Sequence, residues 1–198
     1  MSPAAHDVIT LRNALFKARL GEVYGGHSLI PPLTSGGMLP VGRHPASLDE
    51  IRDLFVTQAP HMARRVLIYS ALELYVSLMR ELVPRATLWV DGGFCTHKSA
   101  VPKDVDLVVL AQGRDLEHFG DEEWGRMRQL LTLQDVEADI IPTAEPRVQP
   151  MGGLVDASLA DADSPEEREF FDELWSSVKG PDGKTVPGAR KGYLEVSL

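Results

Sequence analysis

Two aspartates separated by one residue, Asp104 and Asp106, open a run of branched apolar residues that is typical of a β-strand. Because side chains alternate along a strand, both carboxylates point to the same face. Two ionised carboxylates on one face repel each other unless a cation lies between them. Hard oxygen ligands at this density favour Mg²⁺ or Mn²⁺. Asp104 and Asp106 are therefore candidate ligands of a divalent metal ion.

A glycine pair, Gly92 and Gly93, precedes these aspartates by a short loop and follows a predicted strand, Thr87 to Val90. Without Cβ atoms, the two glycines allow backbone N–H groups to approach a phosphate closely. Lys98 and Lys103 flank the loop and could neutralise phosphate oxygens. The pattern predicts a phosphate site beside the metal site.

Two helices are predicted upstream of this region. Ser47 and Glu50 form a capping box that opens a helix ending at about Phe55. A longer helix is predicted from about Pro60 to Leu82, because apolar residues recur there at helical spacing. The residues assigned to its apolar face are Val66, Leu67, Ser70, Ala71, Leu74, Leu78 and Leu82.

After this helix the spacing of the apolar residues changes from helical to strand-like. The order of elements predicts an α/β (α+β) fold with a small mixed sheet and flanking helices. The later elements are predicted as a strand Asp104 to Leu110, a helix from Asp121 to about Leu133, a strand Val136 to Ile141, a helix opening at Ser164 and a closing strand Gly192 to Val196. Asp156, Asp161 and Asp163 are assigned to an acidic loop before the Ser164 helix. Calcium binding there is not expected, because the EF-hand spacing is missing.

Residues 1–38 are predicted to be an extension rather than a domain. Leu11 to Tyr24 could form a helix, and the stretch after it is rich in glycine and proline. The domain itself is predicted to span residues 39–198.

The composition of the chain limits the classes of function that it can have. The formal net charge is −9 and the pI is about 5.1, so the surface does not attract nucleic acid nonspecifically. A local basic groove is still possible, because six basic residues are close to the proposed site in sequence: Arg64, Arg65, Arg80, Arg85, Lys98 and Lys103. For Arg64 and Arg65 taken alone, a solvated helix face is the favoured alternative. No apolar run is long enough to span a bilayer, no secretory signal is recognised, and one cysteine excludes an intrachain disulfide. A cytoplasmic protein without a membrane partner is expected.

The glycine pair and Asp104-Val105-Asp106 together resemble the signature of the polymerase-beta-like nucleotidyltransferase superfamily. The stretch is similar to a minimal, single-domain bacterial and phage subfamily associated with toxin–antitoxin or defence systems. In that subfamily Gly-Ser-Phe-x-Thr-x-Lys, a proline and Asp-Val-Asp are usual. The matching positions are Phe94, Thr96, Lys98, Pro102, Asp104 and Asp106. Asp91 stands where an apolar residue is usual, and Gly93 stands where serine is common.

The resemblance implies a nucleotidyltransferase-like domain over residues 39–198 that holds two divalent ions, Mg²⁺ or Mn²⁺. It implies three metal-binding and catalytic carboxylates, of which Asp139 is the candidate third, with Glu137 left open as the alternative. The nucleotide would be held by Gly92, Gly93, Thr96, Lys98 and Lys103.

Two functions follow from the resemblance. The first is an active enzyme that transfers a nucleotide from an NTP to RNA, protein or a small molecule. The second is a catalytically inactive binding or regulatory protein of a toxin–antitoxin or phage-defence system, with a cognate antitoxin or other protein as partner. Gly93 in place of serine and the small size of the chain favour the second.

Overall fold

The computed structural model describes residues 30–138, 143–180 and 182–198. The predicted helix Leu11 to Tyr24 and the predicted third carboxylate, Asp139, lie outside the described residues. Within the described part, the chain folds as a mixed α/β domain with helices around a central sheet, which confirms the predicted fold class.

Nine strands and six helices occur in the described residues. The strands are β1 Gly42–Pro45, β2 Thr87–Asp91, β3 Val105–Ala111, β4 Leu133–Ala138, β5 Thr143–Val148, β6 Val155–Asp161, β7 Ser177–Lys179, β8 Thr185–Arg190 and β9 Gly192–Ser197. The helices are α1 Leu48–Arg52, α2 Met62–Leu82, α3 Gly113–Leu116, α4 Asp121–Leu130, α5 Pro150–Gly153 and α6 Pro165–Ser176. A π-helical turn, Asp53–Thr57, continues α1, and a 3-10 turn, Gly93–Cys95, follows β2.

The central sheet has five strands in the order β1-β9-β2-β3-β6. Strand β2 is antiparallel to both of its neighbours, β9 and β3, whereas β3 and β6 are parallel. The strands β4 and β5 pair with each other in a separate two-stranded sheet, and so do β7 and β8. The start of β3, the start of β6 and the end of β2 therefore meet at one edge of the central sheet.

The two faces of the sheet are covered differently. On one face the main core packs strand residues such as Leu88 and Leu107 against α1, α2 and α4. The other face carries a smaller cluster around α6, made of Trp89, Val108, Leu110, Ala160, Trp175 and Tyr193. Because Asp106 lies two residues before Val108 on β3, its side chain belongs to this second face.

The predicted long helix is confirmed as α2, but its predicted apolar face is only partly right, since Ala71 and Leu82 are buried and other members are not. Val66, Leu67 and Leu74 are about half exposed, at 49%, 51% and 54%. The buried side of α2 is formed by Arg65, Ile68, Tyr69, Ala71, Leu72, Tyr75, Val76, Met79 and Leu82. Apolar residues occur on most sides of this helix, so the spacing identified the helix without identifying the side that packs.

The predictions for the second half of the chain need two corrections. The described part of the predicted strand Val136 to Ile141 belongs to β4, which pairs with β5 and lies outside the central sheet, and residues 139–141 are outside the described residues. The predicted acidic loop is wrong, because Asp156 and Asp161 lie on β6, the parallel neighbour of β3. Aspartate, alanine and serine have low strand propensity, and pairing with β3 overrides that local preference.

The described end of the predicted extension packs on the domain. Ile30 is buried in the main core. Met38 forms an isolated bridge with Thr96, and the carbonyl of Gly37 accepts from the His97 N–H at 2.7 Å. Among the described helices, none combines the length and the apolar character needed to cross a bilayer.

Candidate functional site

Three aspartates stand side by side on three adjacent strands. Asp91 on β2 is directly opposite Asp106 on β3, and Asp106 is directly opposite Asp156 on β6. Directly paired residues on neighbouring strands share a face, with Cβ atoms about 4.5–5.5 Å apart. We call these residues the acidic row. Asp104 lies two residues before Asp106, so the predicted pair is joined by two carboxylates that the sequence did not assign to the site.

The centre of the acidic row is electrostatically unfavourable for a charged carboxylate. Burial, followed by the negative charges of Asp104 and Asp156, raises the pKa of Asp106 to about 6 from its ordinary 3.8. The ammonium groups of Lys179 and Lys191 offset part of this effect. A cation placed at Asp106 would relieve the cost of burial and the repulsion.

One end of the row is closed by a buried lysine. Lys191 donates to the Asp91 carboxylate and, at 2.8 Å, to the carbonyl of Trp175. Both charged side chains are only 9% exposed. Burial raises the pKa of Asp91, and Lys191 opposes that rise. Asp91, which departs from the apolar residue usual in the resembling family, is therefore compensated within the fold.

Asp104 and Asp156 have partners that come from outside the central sheet. Arg147 forms an ion pair with Asp156, whose other carboxylate oxygen accepts from the Thr132 hydroxyl at 2.9 Å. The Gln149 amide donates to Asp104 at 2.9 Å. Asp104 and Asp156 are thus neutralised or hydrogen-bonded by groups of the chain itself.

Gly92 is required by the close approach of Asp106. Its φ is +88°, a conformation that side chains rarely allow, and a Cβ built there would lie 1.7 Å from Asp106 Oδ2. Gly93 has room, since the nearest heavy atom to its built Cβ is Pro102 Cα at 4.0 Å. The two glycines thus differ, and only Gly92 is sterically constrained.

Residues 93–104, from the second glycine of the pair to Asp104, form what we call the motif loop. A buried arginine holds this loop. Arg65 on α2 is fully buried, and its pKa is lowered by burial. Its guanidinium donates at 2.6 to 2.9 Å to the carbonyls of Phe55, Pro60, Phe94 and Thr96. Arg65 therefore belongs neither to a basic groove nor to a solvated helix face, the two alternatives that the sequence left open. Its spacing of three and seven residues from Ile68 and Leu72 was the available signal.

Two more side chains of the same region fasten the motif loop. Arg64 donates to the carbonyls of Pro102 and Lys103. The His61 ring lies 2.7 Å from the carbonyl of Ser99. The first turns of α2 therefore hold both halves of the loop that ends at Asp104.

The predicted nucleotide-binding residues of the motif loop differ in accessibility. Thr96 is 3% exposed, and its hydroxyl donates to the Gly93 carbonyl at 2.9 Å, so it closes the loop internally. Lys98 is half-buried and Lys103 is exposed. Cys95 is buried, and burial raises its pKa well above the ordinary value, which leaves it a core residue rather than a nucleophile.

The carboxylates of the acidic row and Asp104 are the donors that a divalent ion prefers, but their present positions do not bring three of them together around one point. They are hard oxygen donors at one sheet edge, and the pKa of the central carboxyl is raised. Among the described residues, however, no group of three His, Cys, Asp or Glu side chains is close enough to hold a metal ion as placed. Asp104 and Asp106 are the pair best suited to one, and a third ligand from Asp156 requires that carboxylate to leave Arg147.

Comparison with known proteins gives one family. Neither the curated proteins nor the solved structures contain a significant match to this chain. A family model matches residues 31–197, which includes the whole acidic row and the motif loop. The match begins within the predicted extension, next to the buried Ile30. The chain therefore belongs to the family described as a family of unknown function (DUF6932).

Proposed function

We propose that this protein is a metal-dependent nucleotidyltransferase that moves a nucleotide from an NTP to an acceptor, which could be RNA, protein or a small molecule. The observation that carries the proposal is the register Asp106 to Asp156 beside the Gly92 bend. It gives the Asp104–Asp106 pair a third carboxylate on the neighbouring strand, as the nucleotidyltransferase resemblance requires.

The roles follow from the positions of the side chains. Asp104 and Asp106 would hold Mg²⁺ or Mn²⁺, which when bound neutralises phosphate oxygens and lowers the pKa of an attacking hydroxyl. The exposed backbone at Gly93 and the half-buried Lys98 would face the triphosphate. Arg65 would not contact the nucleotide, and its hydrogen bonds to the Phe94 and Thr96 carbonyls would keep the motif loop in its observed conformation.

Asp156 is our candidate for the third carboxylate. It is in direct register with Asp106, and its charge contributes to the raised pKa of that residue. Asp139, the candidate from sequence, stays a prediction outside the described residues. The strand that leads to it, β4, pairs only with β5 among the described strands.

The test is transfer of label from α-labelled NTPs to components of a cell extract with Mg²⁺ or Mn²⁺. Transfer by the wild type that is lost in Asp104→Asn supports the proposal. Asp163→Asn is the matched control, because Asp163 is an exposed acid beyond the opposite end of β6. Absence of transfer, or transfer that survives in Asp104→Asn, would contradict it. Asp156→Asn and Asp139→Asn in the same assay separate the two candidates for the third carboxylate.

A second function is favoured by the cations already present at the row. Lys191 pairs with Asp91 and Arg147 pairs with Asp156, so cations of the chain itself already neutralise two carboxylates of the row, which would suit a nucleotidyltransferase fold that binds without turnover. Such a cytoplasmic protein would act as a regulator with a cognate partner. Calorimetry distinguishes the two: nucleotide binding that is independent of Mn²⁺, with no transfer, favours the regulator.

A further inference from the structure

One short segment lies across two carboxylates of the site. Residues 147–149, which we call the strap, join the end of β5 to α5. Arg147 pairs with Asp156, and Gln149 donates to Asp104. The strap therefore occupies carboxylate oxygens that the proposed function assigns to a metal ion, on either side of Asp106.

The contact of Arg147 is suited to exchange. Its side chain is 46% exposed, against 18% for that of Asp156, so water reaches the guanidinium and can replace its contact with the carboxylate. Its strand, β5, belongs to the separate two-stranded sheet and not to the central sheet. The segment that leads into the separate sheet is attached to β6 at Thr132, whose N–H donates to the Ala157 carbonyl at 2.8 Å. Arg147 can thus leave Asp156 without disturbing the register of β3 and β6.

We propose that Arg147 is the resident counter-ion of Asp156, that a divalent ion displaces it, and that the freed guanidinium then binds the phosphates of the nucleotide. The inference rests on the proposed function and adds a residue that the sequence did not assign. Guanidinium groups bind carboxylates and phosphates with the same two-pronged geometry, so the exchange needs no other donor.

The exchange has a thermodynamic signature. A metal ion alone competes with Arg147 for Asp156, so Arg147 weakens the binding of the ion. A metal–nucleotide complex gives Arg147 a new anionic partner, so Arg147 strengthens the binding of the complex. Metal and nucleotide therefore bind cooperatively, and the cooperativity depends on this one side chain.

The experiment measures two affinities by calorimetry, for Mn²⁺ alone and for an α,β-methylene NTP in saturating Mn²⁺. In Arg147→Gln we expect Mn²⁺ to bind about 3- to 10-fold tighter and the analogue to bind 3- to 10-fold weaker. Arg147→Lys keeps the positive charge but loses the two-pronged geometry of the guanidinium, so both of its affinities should lie between those of the wild type and those of Arg147→Gln. Arg126→Gln is the control, because Arg126 also forms an exposed ion pair, with Glu81, and its side chain is 43% exposed.

The outcomes are distinct. Opposite shifts in Arg147→Gln, with Arg126→Gln unchanged, support the exchange. Mn²⁺ affinity equal in the two glutamine variants overturns it. Tighter Mn²⁺ without a weaker analogue overturns the assignment of Arg147 to the phosphates. If the wild type and Arg147→Gln bind neither Mn²⁺ nor the analogue, the proposed function itself fails.

Discussion

Two arginines near the acidic row, one at the motif loop and one in the strap, lie in opposite environments. On the side of the motif loop, Arg65 is fully buried and donates to four backbone carbonyls. On the side of the strap, Arg147 is half exposed and holds a single carboxylate. The same kind of side chain therefore serves a fixed frame on one side and an exchangeable contact on the other.

The difference follows from desolvation. A buried guanidinium must keep every partner, because any carbonyl left without a donor also stays without water. An exposed guanidinium can trade its partner for water or another anion at little cost. We therefore expect the motif loop side to control stability and the strap side to control ligand affinity.

The largest expected effect comes from the buried frame. Arg65→Met removes the donor from four carbonyls and should lower the free energy of unfolding by about 3–5 kcal/mol, measured by urea titration. Arg65→Lys should not restore it, since one ammonium cannot reach all four carbonyls. The adjacent, less buried Arg64→Met should cost about 1 kcal/mol. Equal losses at Arg64 and Arg65 would contradict the comparison.

The glycine bend gives the next largest effect. Gly92→Ala places a Cβ on Asp106 Oδ2 in a backbone conformation that alanine disfavours, so unfolding free energy should fall by about 2–3 kcal/mol. Gly93→Ser, where there is room, should change stability by about 0.5 kcal/mol or less. The measurement is chemical denaturation of both variants. A Gly93→Ser variant as unstable as Gly92→Ala would remove the steric distinction between the two glycines.

Asp106 itself should lower stability in its charged form. Its pKa is raised to about 6, above the ordinary 3.8. The loss of unfolding free energy caused by its ionisation is therefore absent below about pH 4 and complete above about pH 6. Asp106→Asn should therefore be more stable than the wild type by about 2–3 kcal/mol at pH 8. The gain should shrink towards zero near pH 4.

Denaturation at a series of pH values tests this prediction, with the exposed Asp163→Asn as a control that stays flat. A gain for Asp106→Asn that does not depend on pH would count against a strained carboxylate in the row.

The smallest expected stability effect belongs to the strap. Arg147→Gln should change the free energy of unfolding by about 0.5 kcal/mol or less, because the guanidinium is half exposed and Asp156 keeps its hydrogen bond from Thr132. Thermal melting beside Arg126→Gln measures it. A loss as large as that of Arg65→Met would show that the strap is part of the frame and would remove the contrast between the two sides.

The local elements of the site were accessible from sequence. The capping box at Ser47, the long helix α2 and the strands β2 and β3 are confirmed, since each depends on neighbours in the chain. The Gly92 bend and the Asp104–Asp106 pair were recognised for the same reason. Thr96, Lys98 and Lys103 remain predictions of nucleotide contact, with Thr96 placed inside the loop.

The partners of the site were not accessible in this way. The strand that carries Asp156 alternates Val155 and Ala157 with polar residues, yet four of its seven residues are aspartate or alanine, which are depleted in strands, and pairing with β3 overrides that preference. The side of α2 that packs was also assigned only in part, because apolar residues occur on most sides of that helix.

Sequence alone was enough for the kind of fold, the glycine bend and the aspartate pair, because spacing along the chain sets which side chains share a face. Tertiary structure supplied Asp91 and Asp156, the burial of Arg65 and the contact of Arg147. Those features depend on which strands and helices meet across long stretches of chain. Burial then turns an ordinary arginine or aspartate into one whose partner or pKa matters.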